Sequence, residues 1–90
     1  MIVLMARYRV GELDRFLAVF EGFEATRRDS GATGHRLLGS LEDPKRLVAL
    51  IEFGSREAAE AFAAGAERAT ALDEAGVLER ADEILEDVAP

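Results

Sequence analysis

The chain contains no cysteine, tryptophan, asparagine or glutamine, and it has one histidine and two prolines in 90 residues. Without cysteine, disulfide bonds and thiolate metal sites are excluded. Transition-metal sites built from protein alone usually need several His or Cys ligands, so the single histidine, His35, argues against a metal. A phosphate-binding loop is also missing, because Gly31, Gly34 and Gly39 fit neither nucleotide-binding spacing. We therefore expect neither a metal nor a cofactor.

The chain length and the net charge exclude further classes of protein. Ninety residues suffice for one domain, which we assign to residues 1–90. A domain this small buries only roughly 60–65% of its unfolded surface, and oligomerisation is the remaining way to add stability. The formal net charge of −7 repels phosphate backbones, which disfavours nucleic-acid binding. The uncharged start, Met1–Ala6, is too short for a membrane span or a signal peptide, so we expect a cytoplasmic protein with no membrane contact.

The first third of the chain predicts a strand followed by a helix. Residues 1–10 carry apolar side chains on both faces, which is typical of a strand covered on both sides. From Glu12 the apolar residues follow helical spacing, and Gly31 is a natural C-terminal stop. The stripe comprises Leu13, Phe16, Leu17, Phe20, Phe23 and Arg27. We predict one amphipathic helix here.

A hairpin and further helices are predicted next. Residues 34–41 and 46–53 have strand character around the polar turn at 42–45, which indicates a β-hairpin. Ser55 is a good N-cap for the following helix, which Gly65 interrupts. A short helix over 67–75 ends at Gly76, a plausible left-handed stop.

The tail gives conflicting indications. The apolar residues of 78–88 fit a helical face, and its Glu and Asp residues are poor strand formers, so local periodicity favours a helix. A strand over 82–88 would instead complete a βαββαβ unit, a recurrent motif. The residues alone leave both readings open.

Motifs spread over nearly the whole chain carry a family resemblance. They are Tyr8-Arg9-Val10 before Phe16-(x)3-Phe20, Ser30-Gly31-Ala32-(x)-Gly34, Asp43-Pro44, Glu52-Phe53 before Ser55-(x)2-Ala58-(x)2-Ala61-Phe62, Asp73-Glu74-Ala75-Gly76-Val77 and Leu85-Glu86-Asp87-Val88. In this order the sequence resembles the dimeric α+β-barrel superfamily, and within it the small domains similar to antibiotic-biosynthesis monooxygenases and cyclase-type proteins. The resemblance implies a ferredoxin-like α+β fold of βαββαβ order. It implies a four-stranded antiparallel sheet with helices on one face, the other face packing on a partner sheet in a homodimer. It also implies that the tail is a strand, which we adopt.

The resemblance has consequences for the chemistry. Cofactor-free monooxygenases of this family commonly place Asn, Trp and Tyr around the substrate, and this chain offers only Tyr8 of the three. The haem-degrading branch uses a histidine borne on a helix, whereas His35 precedes a strand. The sequence therefore departs more from the haem-degrading branch than from the cofactor-free monooxygenases.

Two residues are candidates for catalysis. His35, beside Arg36, could move protons at the mouth of a cleft, or it could hydrogen-bond to backbone or water at a strand end. Tyr8 could orient an aromatic or phenolic substrate, with Arg7 steadying an enolate or carboxylate. Alternatively, Tyr8 is a core aromatic with its hydroxyl at the rim, and Arg7 pairs with an acidic residue.

Other residues are candidates for ligand binding. Glu52 lies between two apolar residues of a central strand, and in a closed space it would need an arginine partner. Phenylalanines at helical spacing are more typical of a core, although a cleft between helices and a sheet can suit a flat hydrophobic ligand. The candidate ligand-binding residues are Arg7, Arg36, Glu52, Phe20 and Phe62.

Three functions remain in competition. One is a cofactor-independent monooxygenase-like or cyclase-like enzyme that enolises a small aromatic or polyketide-type substrate, with His35 or Tyr8 moving protons. Another is a non-catalytic dimer that binds a small hydrophobic or aromatic ligand in the same cleft. The last is a structural dimer whose cleft is filled by its own side chains, since a fold does not by itself determine function.

Overall fold

The computed structural model describes residues 1–89, in which the elements follow in the order βααββααβ. The elements are β1 (Ile2–Val10), α1 (Leu13–Gly22), α2 (Glu24–Asp29), β2 (Ala32–Gly39), β3 (Arg46–Phe53), α3 (Arg56–Ala63), α4 (Ala66–Glu74) and β4 (Val77–Glu86). The strands form one antiparallel sheet in the order β2-β3-β1-β4. The predicted ferredoxin-like α+β fold with a four-stranded antiparallel sheet is confirmed.

The segment between β1 and β2 forms two helices where the sequence predicts one. Phe23 ends α1 and begins α2, with φ −91° and ψ 1°. Its N–H bonds to the carbonyls of both Val19 and Phe20, at 3.0 and 3.3 Å, which is the tightened last turn of a helix. The preceding Gly22 is a weak helix former, which favours the break at this point. Gly31 follows α2 with a φ of +103°, a conformation that side chains disfavour.

The local signals for the second pair of helices are confirmed. The Ser55 hydroxyl accepts the N–H of Ala58 at 3.1 Å and so caps α3. Gly65 separates α3 from α4, and Gly76, with a φ of +75°, turns the chain into β4. The hairpin strand β3 has the predicted bounds, whereas β2 begins and ends two residues earlier than predicted.

The tail is a strand, so its helical periodicity is misleading. β4 pairs with β1 from Ile2↔Glu86 to Val10↔Val77, with one register irregularity near Val10. It begins at Val77, five residues before the predicted start at Asp82. β4 is an edge strand that leaves most of its side chains exposed, so acidic residues are tolerated there and discourage further strand pairing. Pairing with β1 therefore outweighs the poor strand propensity.

The two faces of the sheet differ. The helices cover one face, where the largest fully buried side chains include Leu4, Val10, Ile51 and Phe53 of the strands. The other face, which we call the open face, carries alternate residues of β1 and β3 that are only half buried. These include Val3, Met5, Val48 and Leu50. Within residues 1–89, no helix has both the length and the apolar character needed to cross a membrane.

Candidate functional site

Aromatic side chains line a small, partly open cavity between the covered face of the sheet and the four helices. Its volume is about 30 Å³, enough for roughly two water molecules. The aromatic lining residues are Tyr8, Phe16, Phe20, Phe23 and Phe62. Two arginines, Arg27 and Arg68, also line the cavity, and each is only 3% exposed. The walls are thus largely apolar, with two cationic groups.

Arg68 connects the cavity to the edge strand. From α4 its guanidinium donates to both carboxylate oxygens of Asp82 on β4, each at 2.8 Å. Its Nη2 also donates to the Tyr8 hydroxyl at 3.0 Å, and its Nη1 donates to the Ala63 carbonyl at 3.1 Å. A bidentate carboxylate pair offsets much of the cost of burying a guanidinium. Arg68 is therefore a charge-balanced group that fixes the Tyr8 hydroxyl.

The protonation states of this network follow from burial and charge. Burial raises the pKa of Tyr8 above its ordinary value, and the nearby Arg68 opposes that rise. Burial alone would lower the pKa of Arg68, but its hydrogen bond to Asp82, the charge of the Tyr8 tyrosinate at alkaline pH and the charge of Asp82 raise it overall. At neutral pH the site therefore holds a neutral phenol and a charged guanidinium. Because the Tyr8 hydroxyl accepts from Arg68, its proton is available to another acceptor.

Arg27 is buried in a different environment. Its Nη1 donates to the Phe20 carbonyl at 2.8 Å, and its guanidinium carbon lies 3.9 Å from the Phe20 ring centroid, a cation–π contact. The buried Nε has no acceptor among residues 1–89, and no ion pair in that range includes Arg27. Burial lowers the pKa of Arg27, while the charge of Glu24 and, at alkaline pH, that of the Tyr8 tyrosinate act in the opposite direction. Arg27 is thus a buried cation without a carboxylate partner.

Four of the seven candidate residues lie at or beside the cavity. Tyr8 is on β1, Phe20 on α1 and Phe62 on α3, and all three line it. His35, on β2, packs edge-on against the outer side of this group, with its ring centroid 5.4 Å from that of Phe20. His35 itself is exposed and does not line the cavity.

The other three candidates lie on the open face. Arg7 approaches Glu83 at 4.0 Å, and both side chains are largely exposed. Glu52 pairs in register with Gly34, where a Cβ would come within 2.8 Å of the Glu52 carboxylate, so glycine leaves room for it. Arg36 is exposed on the same strand as Gly34. The sheet therefore separates Arg7, Arg36 and Glu52 from the cavity.

Sequence reasoning did not single out Arg27 and Arg68 as site residues. Arg27 continues the apolar stripe of the first helical segment, and a charge on such a stripe is a signal for a buried cation. Arg68 lies one turn before Leu72 on the inward side of α4 and carries the same signal. Asp82 can be assigned to the site only when the pairing register of β1 and β4 is known, and the sequence does not give that register.

Within residues 1–89, no three His, Cys, Asp or Glu side chains converge in a group able to hold a metal ion. The acidic residue of the site, Asp82, is instead occupied by Arg68. The chemistry that this arrangement supports is proton donation by a phenol and stabilisation of negative charge by guanidinium groups.

Comparisons with known proteins agree with this architecture. The sequence model of the family described as "Antibiotic biosynthesis monooxygenase" matches residues 1–74. Among solved structures, the chain is similar to SnoaB, a cofactor-independent oxygenase from Streptomyces nogalater, with a TM-score of 0.82 and 14% identity over 99% of this chain and 94% of that one.

Two further structures are similar at comparable levels. An antibiotic biosynthesis monooxygenase aligns with a TM-score of 0.77 and 18% identity, covering 99% of this chain and all of the other. Rv0793 from Mycobacterium tuberculosis aligns with a TM-score of 0.72 and 17% identity, covering 99% of this chain and 96% of the other. At these identities the structural likeness establishes the fold alone. No curated protein matches the sequence.

Proposed function

Because the chain belongs to the antibiotic biosynthesis monooxygenase family, we propose that it oxidises a small aromatic, polyketide-type substrate with O₂ and without a cofactor. The observation that carries the proposal is the Tyr8 hydroxyl, which Arg68 holds at 3.0 Å inside a cavity walled by phenylalanines. Such walls suit a flat ring system, and the phenol supplies one fixed polar group. The similar SnoaB structure is described as a cofactor-independent oxygenase, which supports the reaction type.

The proposed reaction converts a ring CH₂ into a ring carbonyl. Loss of one CH₂ proton gives an enolate, whose carbon bonds to O₂ and, after protonation, forms a hydroperoxide. The second hydrogen then leaves the carbon as a proton while the O–O bond breaks, which yields the carbonyl and one water molecule. The substrate is the electron donor and O₂ the acceptor, so no further oxidant is needed.

Tyr8 has the proton-donating role in this proposal. Its raised pKa keeps the phenol protonated, so it donates a hydrogen bond to an enolate or peroxide oxygen and does not act as the base. Arg68 fixes the hydroxyl, and its hydrogen bond to the Tyr8 oxygen makes the phenol a better proton donor to the developing anion. His35 contacts only the outer side of the cavity wall, through Phe20, so we assign it no step of the reaction.

We also propose that the functional unit is a homodimer joined through the open face. Apolar residues such as Met5 and Leu50 lie side by side on neighbouring strands and are only half buried in one protomer. A contiguous apolar patch on a small domain marks an interface. A second copy would cover this face with the same apolar surface.

Oxygen uptake tests the enzyme proposal. The protein is mixed with a panel of anthrone and quinol compounds after dialysis against a chelator, and O₂ consumption and carbonyl product are followed together. We expect turnover by the unmodified protein and a loss of roughly 10²-fold or more in Tyr8→Phe, because a positioned proton donor contributes about 10²–10⁴-fold.

His35→Ala is the companion variant, since His35 lies outside the cavity. Turnover close to that of the unmodified protein is expected for it. If Tyr8→Phe keeps full activity, the role of Tyr8 is wrong. If a folded dimer consumes no O₂ with any compound of the panel, the oxygenase proposal is wrong.

One observation favours a second candidate, a non-catalytic binding or structural dimer. The cavity of about 30 Å³ is far smaller than an aromatic substrate, and phenylalanine side chains fill most of the space between helices and sheet. On this alternative the interior stays closed. Absence of both O₂ uptake and binding of flat aromatic compounds would favour the structural dimer.

A further inference from the structure

Two arginines lie directly opposite each other at one end of the open face. Arg9 of β1 pairs in register with Arg46 of β3, and both alternate along their strands with buried residues of the covered face. The N–H of Val10 bonds to the Lys45 carbonyl at 2.9 Å, so the adjoining pair of arginines is of the non-hydrogen-bonded kind, in which side chains approach more closely. Like charges directly opposite each other destabilise a sheet.

The nearby carboxylates compensate this repulsion only in part. Arg9 approaches Asp43 at 3.5 Å, but both side chains are partly exposed, so the contact contributes little. Glu79 lies opposite Arg9 on β4, yet no ion pair within residues 1–89 joins the two, and none in that range includes Arg46. The arginine pair therefore keeps positive charge that the described residues leave unpaired.

The two arginines line a depression of about 560 Å³ in the open face. Ser40, directly after β2, lines it as well, and its N–H bonds to the Arg46 carbonyl at 3.0 Å. The Ser40 hydroxyl accepts the N–H groups of Glu42 and Asp43 at 3.2 and 3.3 Å, so its own proton remains available to a further acceptor. Two guanidinium groups and one hydroxyl thus offer hydrogen-bond donors to the same space.

We infer that Arg9, Arg46 and Ser40 form a binding site for a doubly charged oxyanion of the phosphate class. A dianion between two guanidinium groups removes their mutual repulsion and accepts charge-assisted hydrogen bonds from both. The net charge of −7 repels anions from the chain as a whole, so binding depends on this local cluster.

The position of the site makes it independent of the proposed reaction. Arg9 and Arg46 form the last residue pair that joins β1 and β3, so they lie at the margin of the proposed dimer interface. The sheet separates their side chains from the aromatic cavity, which neither of them lines. Phosphate binding and O₂ uptake can therefore fail separately.

Titration with inorganic phosphate at mildly alkaline pH, where the ion is mainly doubly charged, tests the site. Calorimetry compares phosphate with chloride at equal ionic strength, which keeps general screening constant. We expect saturable phosphate binding to the unmodified protein and a loss of affinity of at least about tenfold in Arg46→Met, the size of effect that one hydrogen bond to a charged group has. An unmodified protein that binds phosphate no better than chloride overturns the inference.

Arg36→Met is the matched control. Arg36 is exposed on the same face of the sheet and its loss changes the net charge equally, but it lies opposite Leu50 and does not line the depression. We expect this variant to keep the affinity of the unmodified protein. An equal loss in Arg36→Met, or unchanged binding to Arg46→Met, contradicts the assignment.

Urea unfolding separates a binding role of Arg46 from a structural one. Without phosphate, Arg46→Met should be at least as stable as the unmodified protein, because the substitution removes the repulsion between like charges. Phosphate should raise the urea midpoint of the unmodified protein, as a ligand of the folded state does, and leave that of Arg46→Met in place. A variant that is destabilised without phosphate, or whose midpoint phosphate still raises, contradicts the inference.

Two further measurements identify what occupies the site. Phenyl phosphate distinguishes the source of the phosphate group, because Leu38 and Val48 line the same depression. Tighter binding than that of inorganic phosphate assigns an organic ester, and equal binding assigns the free ion. Sedimentation addresses a second copy as the occupant. If Arg46→Met dissociates a dimer that phosphate does not affect, the arginines pair with carboxylates of the other copy and the inference is wrong.

Discussion

The Tyr8 hydroxyl owes its position to a charge pair that spans two elements. Arg68 reaches it from α4, and Asp82 on β4 holds the other edge of the guanidinium in a bidentate contact. Asp82, which is itself partly exposed, lowers the cost of burying Arg68, because an unpaired guanidinium at that depth would be strongly destabilising. The phenol is thereby fixed by a rigid group, which is the condition for it to donate a proton in a defined direction.

Tyr8 is the only tyrosine, so its titration can be followed without interference. Because burial favours the neutral phenol, we expect the folded protein to form tyrosinate only above the ordinary pKa of about 10. Below the ordinary pKa both states hold the proton, and the contribution of Tyr8 to stability is complete. As the pH rises between the ordinary pKa and the higher pKa of the folded state, the unfolded chain releases its proton first, so that contribution is lost.

Ultraviolet absorbance of tyrosinate checks this expectation. The same chain in concentrated urea serves as the reference and should titrate near pH 10. A folded-state midpoint at or below that of the unfolded chain would show that Arg68, and not burial, dominates the pKa of Tyr8.

Some residues of the site can be predicted from the sequence, and others cannot. Tyr8, Phe20 and Phe62 stand out from the sequence as aromatic side chains on amphipathic elements. The partners of Tyr8 do not, because Arg68 is 60 residues away and its approach depends on how α4 packs on the sheet. Charged residues inside an apolar stripe, such as Arg27, are the signal that sequence reasoning can use in such cases.

At the level of elements, glycine and capping signals predict boundaries well, and propensity predicts the edge strand poorly. Ser55 and Gly76 act locally, so the sequence contains all the information that they need. β4 is acidic and has helical periodicity, and it becomes a strand because β1 offers a full set of backbone partners. That preference arises only after the sheet has formed, so a local pattern cannot show it.

Two glycine substitutions should have opposite effects on stability. Gly76 has a φ of +75°, so Gly76→Ala should lower the free energy of unfolding by about 1–2 kcal/mol through left-handed strain. Gly22 is the last residue of α1, does not have positive φ, and a Cβ there would meet nothing within 4 Å. Gly22→Ala should therefore raise the free energy of unfolding by up to about 0.5–1 kcal/mol.

Urea unfolding of both variants at one protein concentration measures these changes. Each variant is the control for the other, since both add a single methyl group next to a helix end. Changes of the same sign in the two proteins would contradict the backbone explanation.

At the scale of the whole molecule, one face of the sheet is covered by helices and the other is not, and the uncovered apolar side chains lower the stability of a single protomer. The covered face has a helical layer over it, whereas Val3, Met5, Val48 and Leu50 of the open face are only partly buried in one protomer. A 90-residue chain without disulfides has few other sources of stability. In the proposed homodimer, the open face of a second copy of the chain covers these side chains.

Met5→Glu tests this interface. Met5 lies in β1, opposite Glu83 on one side and Leu50 on the other, so a glutamate there adds a charge to the apolar centre of the open face next to an existing carboxylate. Leu41→Glu is the matched control, because Leu41 is fully exposed in the hairpin turn and the change in net charge is the same. Sedimentation at micromolar concentration should give a dimer of two 9.8 kDa chains for the unmodified protein and for Leu41→Glu, and a monomer for Met5→Glu. Circular dichroism separates dissociation from unfolding. An unmodified protein that sediments as a monomer, or a Met5→Glu variant that remains a dimer, would show that the open face is not the interface.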